Sequence, residues 1–187
     1  MINVKDTTKS CIRDLIKLNL KEILDIGCGG GNVSKHFENI PEVKIEGIDK
    51  MENRVDCKNF KFLMSDIRNF EFKKKYDLII CALVLHFLDK NEAEEIIMKI
   101  KKHTNKQGVN FFILISNKDS LSREKPNNFY PDLKKMNEIY NDWDIIKQLQ
   151  DFTEEEDHGK GKHSHNLIYL IAKNKEGAKC YLNAINV

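Results

Sequence analysis

The chain has 187 residues, 41% hydrophobic and 32% charged, with 9 glycines and 3 prolines. That length buries a core without disulfides, and the composition excludes collagen-like, low-complexity and wholly disordered classes. Its 31 basic and 29 acidic residues leave a net charge of +2, too weak a field to recruit nucleic acid or an anionic membrane surface.

Short β-rich runs alternate with helix-patterned stretches, the mark of one doubly wound α/β domain over residues 1–187. Residues 14–20 read as helix and Glu22–Ile26 as the first strand, followed by a glycine cluster and a helix over 32–39. Strands are expected over 44–48, Phe60–Met64 and 76–81, the last nearly all apolar and therefore central and buried. Ala93, Ile96, Ile97 and Ile100 recur at helical spacing within 92–103, and 109–115 is a fifth apolar strand. Residues 116–130 carry loop chemistry, Pro131 opens a helix to about Tyr140, and 143–152 and 167–172 are the last two strands. No apolar run approaches the roughly 18–20 residues that cross a bilayer, and the first residues carry no signal-peptide core. Five cysteines (Cys11, Cys28, Cys57, Cys81, Cys180) with no C-x-x-C pair fit a reduced, cytoplasmic compartment.

The chemistry starts at Asp25-Ile26-Gly27-Cys28-Gly29-Gly30-Gly31, between a strand and an expected helix. Without Cβ atoms, such a turn lets backbone approach a nucleotide-like ligand closely; a tight structural turn is the plainer alternative. A dinucleotide fold needs a glycine at the sixth position, where Asn32 stands, so a nicotinamide cofactor is disfavoured. Asp49 ends the second strand, where a carboxylate can accept from both ribose hydroxyls. Asp66 follows the third strand and can accept from an adenine amino group, with Met51 and Ile67 as apolar neighbours for the base. Either aspartate alone reads equally well as a helix cap or loop acid. Three acids ending three successive strands mark the carboxyl edge of the sheet, where open α/β folds bind ligands.

Asp25 to Gly31, Asp49, Ser65-Asp66 and the run Tyr76-Asp77-Leu78-Ile79-Ile80-Cys81-Ala82-Leu83 together resemble the S-adenosylmethionine-dependent methyltransferases of the Rossmann-like class. Within that class the chain is most similar to the tellurite-resistance methyltransferases, with Tyr140-x-x-Trp143, an acidic run and a final strand supporting the likeness. The resemblance covers residues 20–115 and continues more weakly to Lys173. It implies a three-layer Rossmann-like sheet of about seven strands, order 3-2-1-4-5-7-6, with the last strand antiparallel. It also implies S-adenosylmethionine as cofactor, with Gly27, Gly29 and Gly31 around the methionine part and Asp25 orienting its ammonium. Asp49, with Lys50 and Met51 beside it, would take the ribose, Asp66 and Ile67 the adenine, and backbone around Cys81 and Leu83 the sulfonium end. The implied acceptor is a small molecule, an anion such as tellurite. Attack on a sulfonium methyl needs chiefly alignment, and a base only when the nucleophile arrives protonated.

His158, His163 and His165 lie between the last two strands, beside Lys160 and Lys162. If 143–152 runs parallel to the central strands, this connection overhangs the substrate mouth. Three roles stay open for it: a solvated hairpin, an anion contact or proton acceptor, and a metal site through His163 and His165; no metal is assigned. His86 opens the helix after the fourth strand and reads as a capping or packed histidine. About two dozen residues precede Asp25, room for one helix, whereas the resembled enzymes carry a longer closing segment. Cover is therefore expected from loop 116–130 or from a second copy in a homodimer. A macromolecular acceptor is the weaker alternative: Cys81-Ala82-Leu83-Val84 stands where N-P-P-[YFW] would, and no proline adjoins a cysteine. A non-catalytic binding module is the other, against which the intact glycines and acids argue.

Overall fold

The computed structural model describes residues 3–155 and 162–175. Seven strands form one sheet: β1 (Glu22–Ile26), β2 (Lys44–Asp49), β3 (Phe60–Met64), β4 (Tyr76–Ala82), β5 (Thr104–Ile115), β6 (Asp144–Phe152) and β7 (Asn166–Lys173). Their order is β3-β2-β1-β4-β5-β7-β6; β1 to β5 pair in parallel, and β7 is antiparallel to both neighbours. The topology and the antiparallel last strand match the sequence expectation. The reason is visible in β4 and β7, whose apolar runs are buried on both faces and must sit centrally.

Successive residues feed opposite layers. Phe111 packs with Cys11, Ile12 and Leu15 of α1 (Val4–Ile16) on one face. Phe112 packs with Ile96, Ile97 and Ile100 of α2 (Lys90–Lys102) and with Met136 on the other. Because β6 is antiparallel to β7, it runs the same way as β1 to β5. Its end at Phe152, opposite Asn166, therefore lies at the carboxyl edge beside Ile115, opposite Leu167. Among the described residues no helix is long and apolar enough to cross a membrane.

Helix boundaries differ from the sequence reading wherever capping outweighs periodicity. The first helix occupies Val4–Ile16 rather than 14–20, because the Asn3 side chain accepts the Asp6 N–H and starts it early. The helix expected over 32–39 shrinks to one 3₁₀ turn, Ser34–Phe37: Val33 supplies no capping side chain, and so short a segment cannot offset the cost of nucleation. His86 does not open α2. It sits in a separate 3₁₀ turn, Leu85–Phe87, and α2 starts from an Asp89–Glu92 capping box. Strand β5 begins at Thr104, not 109: Thr104 already pairs with Tyr76, and a bulge with Gln107 at φ 60° takes up the intervening residues. Loop 116–130 holds one turn of helix, α3 (Leu121–Glu124), and α4 (Leu133–Ile139) starts behind an Asp132 cap.

A buried polar chain locks α4 to the sheet. Tyr140 Oη donates to Asn110 Oδ1 (2.9 Å), Asn110 Nδ2 to Thr104 Oγ1 (2.7 Å), and Thr104 Oγ1 to the Ile100 carbonyl (2.8 Å). Tyr140→Phe strands the Asn110 oxygen in the core, and a loss of about 1–3 kcal/mol in denaturant unfolding is expected; an unchanged midpoint would show that the chain of bonds contributes nothing.

Candidate active site

Strands β1, β2 and β3 end at staggered heights, and each end places an acid. Asp25 pairs with Gly47 one step below the end of β1 and is buried. Asp49 closes β2 opposite Met64, and Asp66 follows β3. The turn between Asp25 and Asp49 is glycine for steric reasons. Gly27 and Gly31 adopt φ +64° and +72°, and a Cβ on them would stand 2.2 Å from Val84 Cγ2 and 2.5 Å from Val55 Cγ1. Gly29 and Gly30 face open space, so their backbone is reachable from outside.

Asp49 ties this turn to β2. Its Oδ2 accepts the Gly29 N–H (2.9 Å) and its Oδ1 the Met51 N–H (3.0 Å). Asp25 is less comfortable: burial pushes its carboxyl up to about 7, the nearby Asp49 charge adds to this, and the Ser34 hydroxyl and N–H oppose it. Cys28, inside the turn, is kept a protonated thiol, pushed up to about 12 by burial and the two acids, and so is no nucleophile. Asp66 is already engaged. Arg68 donates from Nε to Oδ1 (2.9 Å) and from Nη2 to Oδ2 (2.5 Å), and these bonds hold the carboxyl down to about 2. Asp66 also accepts the Arg68 N–H, the plain capping role weighed for it in the sequence.

Two cavities meet at Gly27 and Leu83. The first, about 390 Å³, is lined by Asp49, Lys50, Met51, Asp66, Ile67 and Phe87 among others. The second, about 590 Å³, runs under α1 and is lined by Asp25, Gly29, Asn32 and His36 together with Lys5 and Lys9. Met51 and Phe87 are more than half exposed here and give the first cavity apolar walls. The glycine backbone, the acids and these walls together fit the amino-acid, ribose and base parts of a nucleoside cofactor. Leu83 holds φ +57°, an uncommon conformation for a branched side chain, fixed by its N–H to the Ile113 carbonyl (2.7 Å) at the junction of the cavities.

Ten of the eleven cofactor residues expected from the sequence line one cavity or the turn between them; Cys81 does not. The expectation there concerned the backbone of this segment, of which Ala82, Leu83 and Val84 line the cavities, while the Cys81 side chain is buried in the core. His165 sits at the carboxyl edge with Nδ1 3.1 Å from Asp119 Oδ2, its ring edge-on to His163 at 5.2 Å. His158 lies outside the described residues. Among the described residues no cluster of three or more His, Cys, Asp or Glu side chains is arranged for a metal. Burial leaves His86 neutral, pushed down to about 4. Loop 116–130 is fastened over the edge by Asn128 Nδ2 to the His86 carbonyl (2.8 Å) and by the Phe129 N–H to the Leu88 carbonyl (2.9 Å).

Lys5, Thr8, Lys9, Arg68, Val84, Phe87 and Asp119 also line or border the site, and no motif in the sequence marks them. Lys5 and Lys9 carried a signal, one helical turn apart, that only the early start of α1 makes legible.

A family model described as "Tellurite resistance protein TehB" matches residues 3–167. The chain belongs to the TehB family. Its curated relative from Haemophilus influenzae, named "Probable S-adenosyl-L-methionine-dependent methyltransferase TehB", is 25% identical over 142 residues, 71% of this chain and 49% of the relative. The TehB-family chain thus spans about half the length of the curated relatives it matches. A "Ubiquinone biosynthesis O-methyltransferase" of Rickettsia bellii is 28% identical over 97 residues, 47% of this chain and 39% of that one. Among solved structures, TehB from H. influenzae superposes with a TM-score of 0.74 at 22% identity, over 89% of this chain and 62% of that one. The N-methyltransferase NodS from Bradyrhizobium japonicum, in complex with S-adenosylhomocysteine, gives 0.71 at 16% identity, over 93% and 89%. These likenesses establish the methyltransferase fold for this TehB-family chain.

Proposed function

We propose that the chain is an S-adenosylmethionine-dependent methyltransferase acting on a small-molecule acceptor, with tellurite the first to try. The observation that carries this reading is the pair of joined cavities, with the glycine turn and Leu83 at their junction and acids at their base. Family membership and the methyltransferases among its relatives support it. Asp49 would take the ribose hydroxyls, Met51 and Ile67 would sandwich the adenine, and Asp66 its amino group once shared with Arg68. Gly27, Gly29 and Gly31 would wrap the methionine part, Asp25 would face its ammonium, and Lys50 would border the ribose. Bound there, S-adenosylmethionine supplies an electrophilic methyl, and the residues' contribution is alignment.

Lys5 and Lys9 line the second cavity, and both Lys9 and Lys35 bear on His36 there, which favours an acceptor that carries negative charge. Calorimetric titration with S-adenosylmethionine and S-adenosylhomocysteine tests the cofactor, and labelled methyl transfer to tellurite tests the acceptor. Absence of binding at millimolar ligand would defeat the reading. Asp49→Ala should weaken S-adenosylhomocysteine by about 1.5–3 kcal/mol, since the ribose contacts and the anchor of Gly29 go together; unchanged affinity would remove Asp49 from the site.

A further inference from the structure

Three segments converge at the carboxyl edge of the sheet. Asn3 Nδ2, beside cavity residues Val4 and Lys5, donates to Glu154 Oε2 (2.9 Å) on the β6–β7 connection. One residue before Glu154, the Thr153 N–H donates to the His165 carbonyl (2.8 Å), and the His165 N–H returns to Thr153 Oγ1 (2.9 Å). From the other side, β5 passes from cavity residue Ile113 to Ser116, about 10 Å along the strand, and turns into the loop that carries Asp119. His165 thus sits at the carboxyl edge, on a connection that Asn3 ties to the start of α1, whose residues Val4 and Lys5 line the second cavity.

Asp119 is held from three directions. Its side chain is fully buried; Oδ1 accepts the Leu121 N–H (2.9 Å), and Oδ2 accepts the Asn166 N–H (2.8 Å) and faces His165 Nδ1 (3.1 Å). A carboxylate only accepts, so the proton of neutral His165 must reside on Nδ1. Nε2 is then a lone pair, with no hydrogen bond among the described residues, on a side chain 32% exposed. The turn before α3 accounts for the Oδ1 contact and the Asn166 N–H for part of Oδ2, and the imidazole completes the set on that oxygen.

We infer that His165, positioned by Asp119, is a general base, and that the acceptor class includes molecules that lose a proton on methylation, such as phenols and thiols. The inference rests on the methyltransferase reading. As the acceptor oxygen forms its bond to the methyl carbon, the carbon–sulfur bond breaks with its electron pair left on sulfur, and the acceptor proton passes to His165 Nε2. The products are the methyl ether, S-adenosylhomocysteine and an imidazolium that returns its proton to solvent. The groups facing this pair set its field. Asp119 stabilises the imidazolium; Lys125 and neutral His86 stand nearby, Tyr130 lies within the field of both Asp119 and Glu124, and His163 covers one edge of the ring.

The test compares acceptors that differ in their proton. p-Cresol is protonated at pH 8, p-nitrophenol is largely ionised there, and selenite is already an anion. His165→Asn keeps a donor toward Asp119 and removes the base. Its turnover of p-cresol should fall by about 10²–10³-fold, at least ten times more than its transfer to p-nitrophenolate or selenite, which need no base. Independently of turnover, ¹⁵N spectra of the wild-type chain should show His165 protonated on Nδ1. Equal loss on all three acceptors, no loss on p-cresol, transfer to selenite alone, or an Nε2–H tautomer would each overturn the inference. Failure of the wild-type chain to bind S-adenosylhomocysteine would instead defeat the parent reading, a separate outcome visible in the calorimeter.

Discussion

Asp25→Asn is expected to stabilise the ligand-free chain by up to about 4 kcal/mol at pH 8 and to leave it unchanged below about pH 4. The carboxyl titrates near 7 in the folded chain against an ordinary value of 3.8. Between those values the folded chain holds a proton that the unfolded chain has released. The wild-type stability contribution of this group is therefore complete below pH 4 and is lost as pH rises through 7. Asparagine removes the charge and keeps the shape, so its curve should lack that slope. Denaturant midpoints of both proteins from pH 4 to 8 check this, and parallel curves would show that Asp25 titrates alike in the folded and unfolded chain. If Asp25 faces the ammonium of S-adenosylmethionine, the same variant should bind the cofactor about 10–150-fold more weakly, because a charge-assisted bond is worth about 1.5–3 kcal/mol. Stability gained where affinity is lost is what a charge held in an unfavourable place for binding produces.

The β-strands were legible in the sequence because burial wrote them there. The runs over β4 and β7 are apolar on both faces, and Asp25 stands one residue before the end of β1, Asp49 at the end of β2 and Asp66 two residues past β3. Helix ends were less legible. Asn3 and Asp89 outrank the apolar pattern that follows them, and the glycine turn leaves residues 32–39 too short and too weakly capped to form more than one 3₁₀ turn. Cys81 enters the expected site through backbone alone; its side chain belongs to the core, as does most of β4, which is covered on both faces. The Arg68 clasp on Asp66 and the Asp119–His165 pair were invisible for different reasons. The first is a two-residue contact whose partner is set by a local turn; the second joins residues 46 apart in sequence, brought together only by the β5–β7 pairing.

The glycine turn yields the other large effect. Gly27→Ala should abolish measurable S-adenosylhomocysteine binding and cost about 2–4 kcal/mol of stability. Two causes act at once. At φ +64° a Cβ costs about 1–2 kcal/mol, and the same Cβ would stand 2.2 Å from Val84 Cγ2, so Val84 must move. Val84 follows Leu83 in the segment that lines the cavities, and its displacement disturbs the junction where the methyl group would lie. Gly30→Ala is the control, since nothing stands within 4 Å of its Cβ; binding and stability should both change by less than about 1 kcal/mol. The double variant Gly27→Ala with Val84→Ala separates the causes. If the clash dominates, removing the Val84 methyls restores much of the binding; if the backbone dominates, the double variant binds no better than Gly27→Ala. Wild-type affinity in the single variant would mean that the ligand does not approach Gly27, and that the two cavities do not form one site.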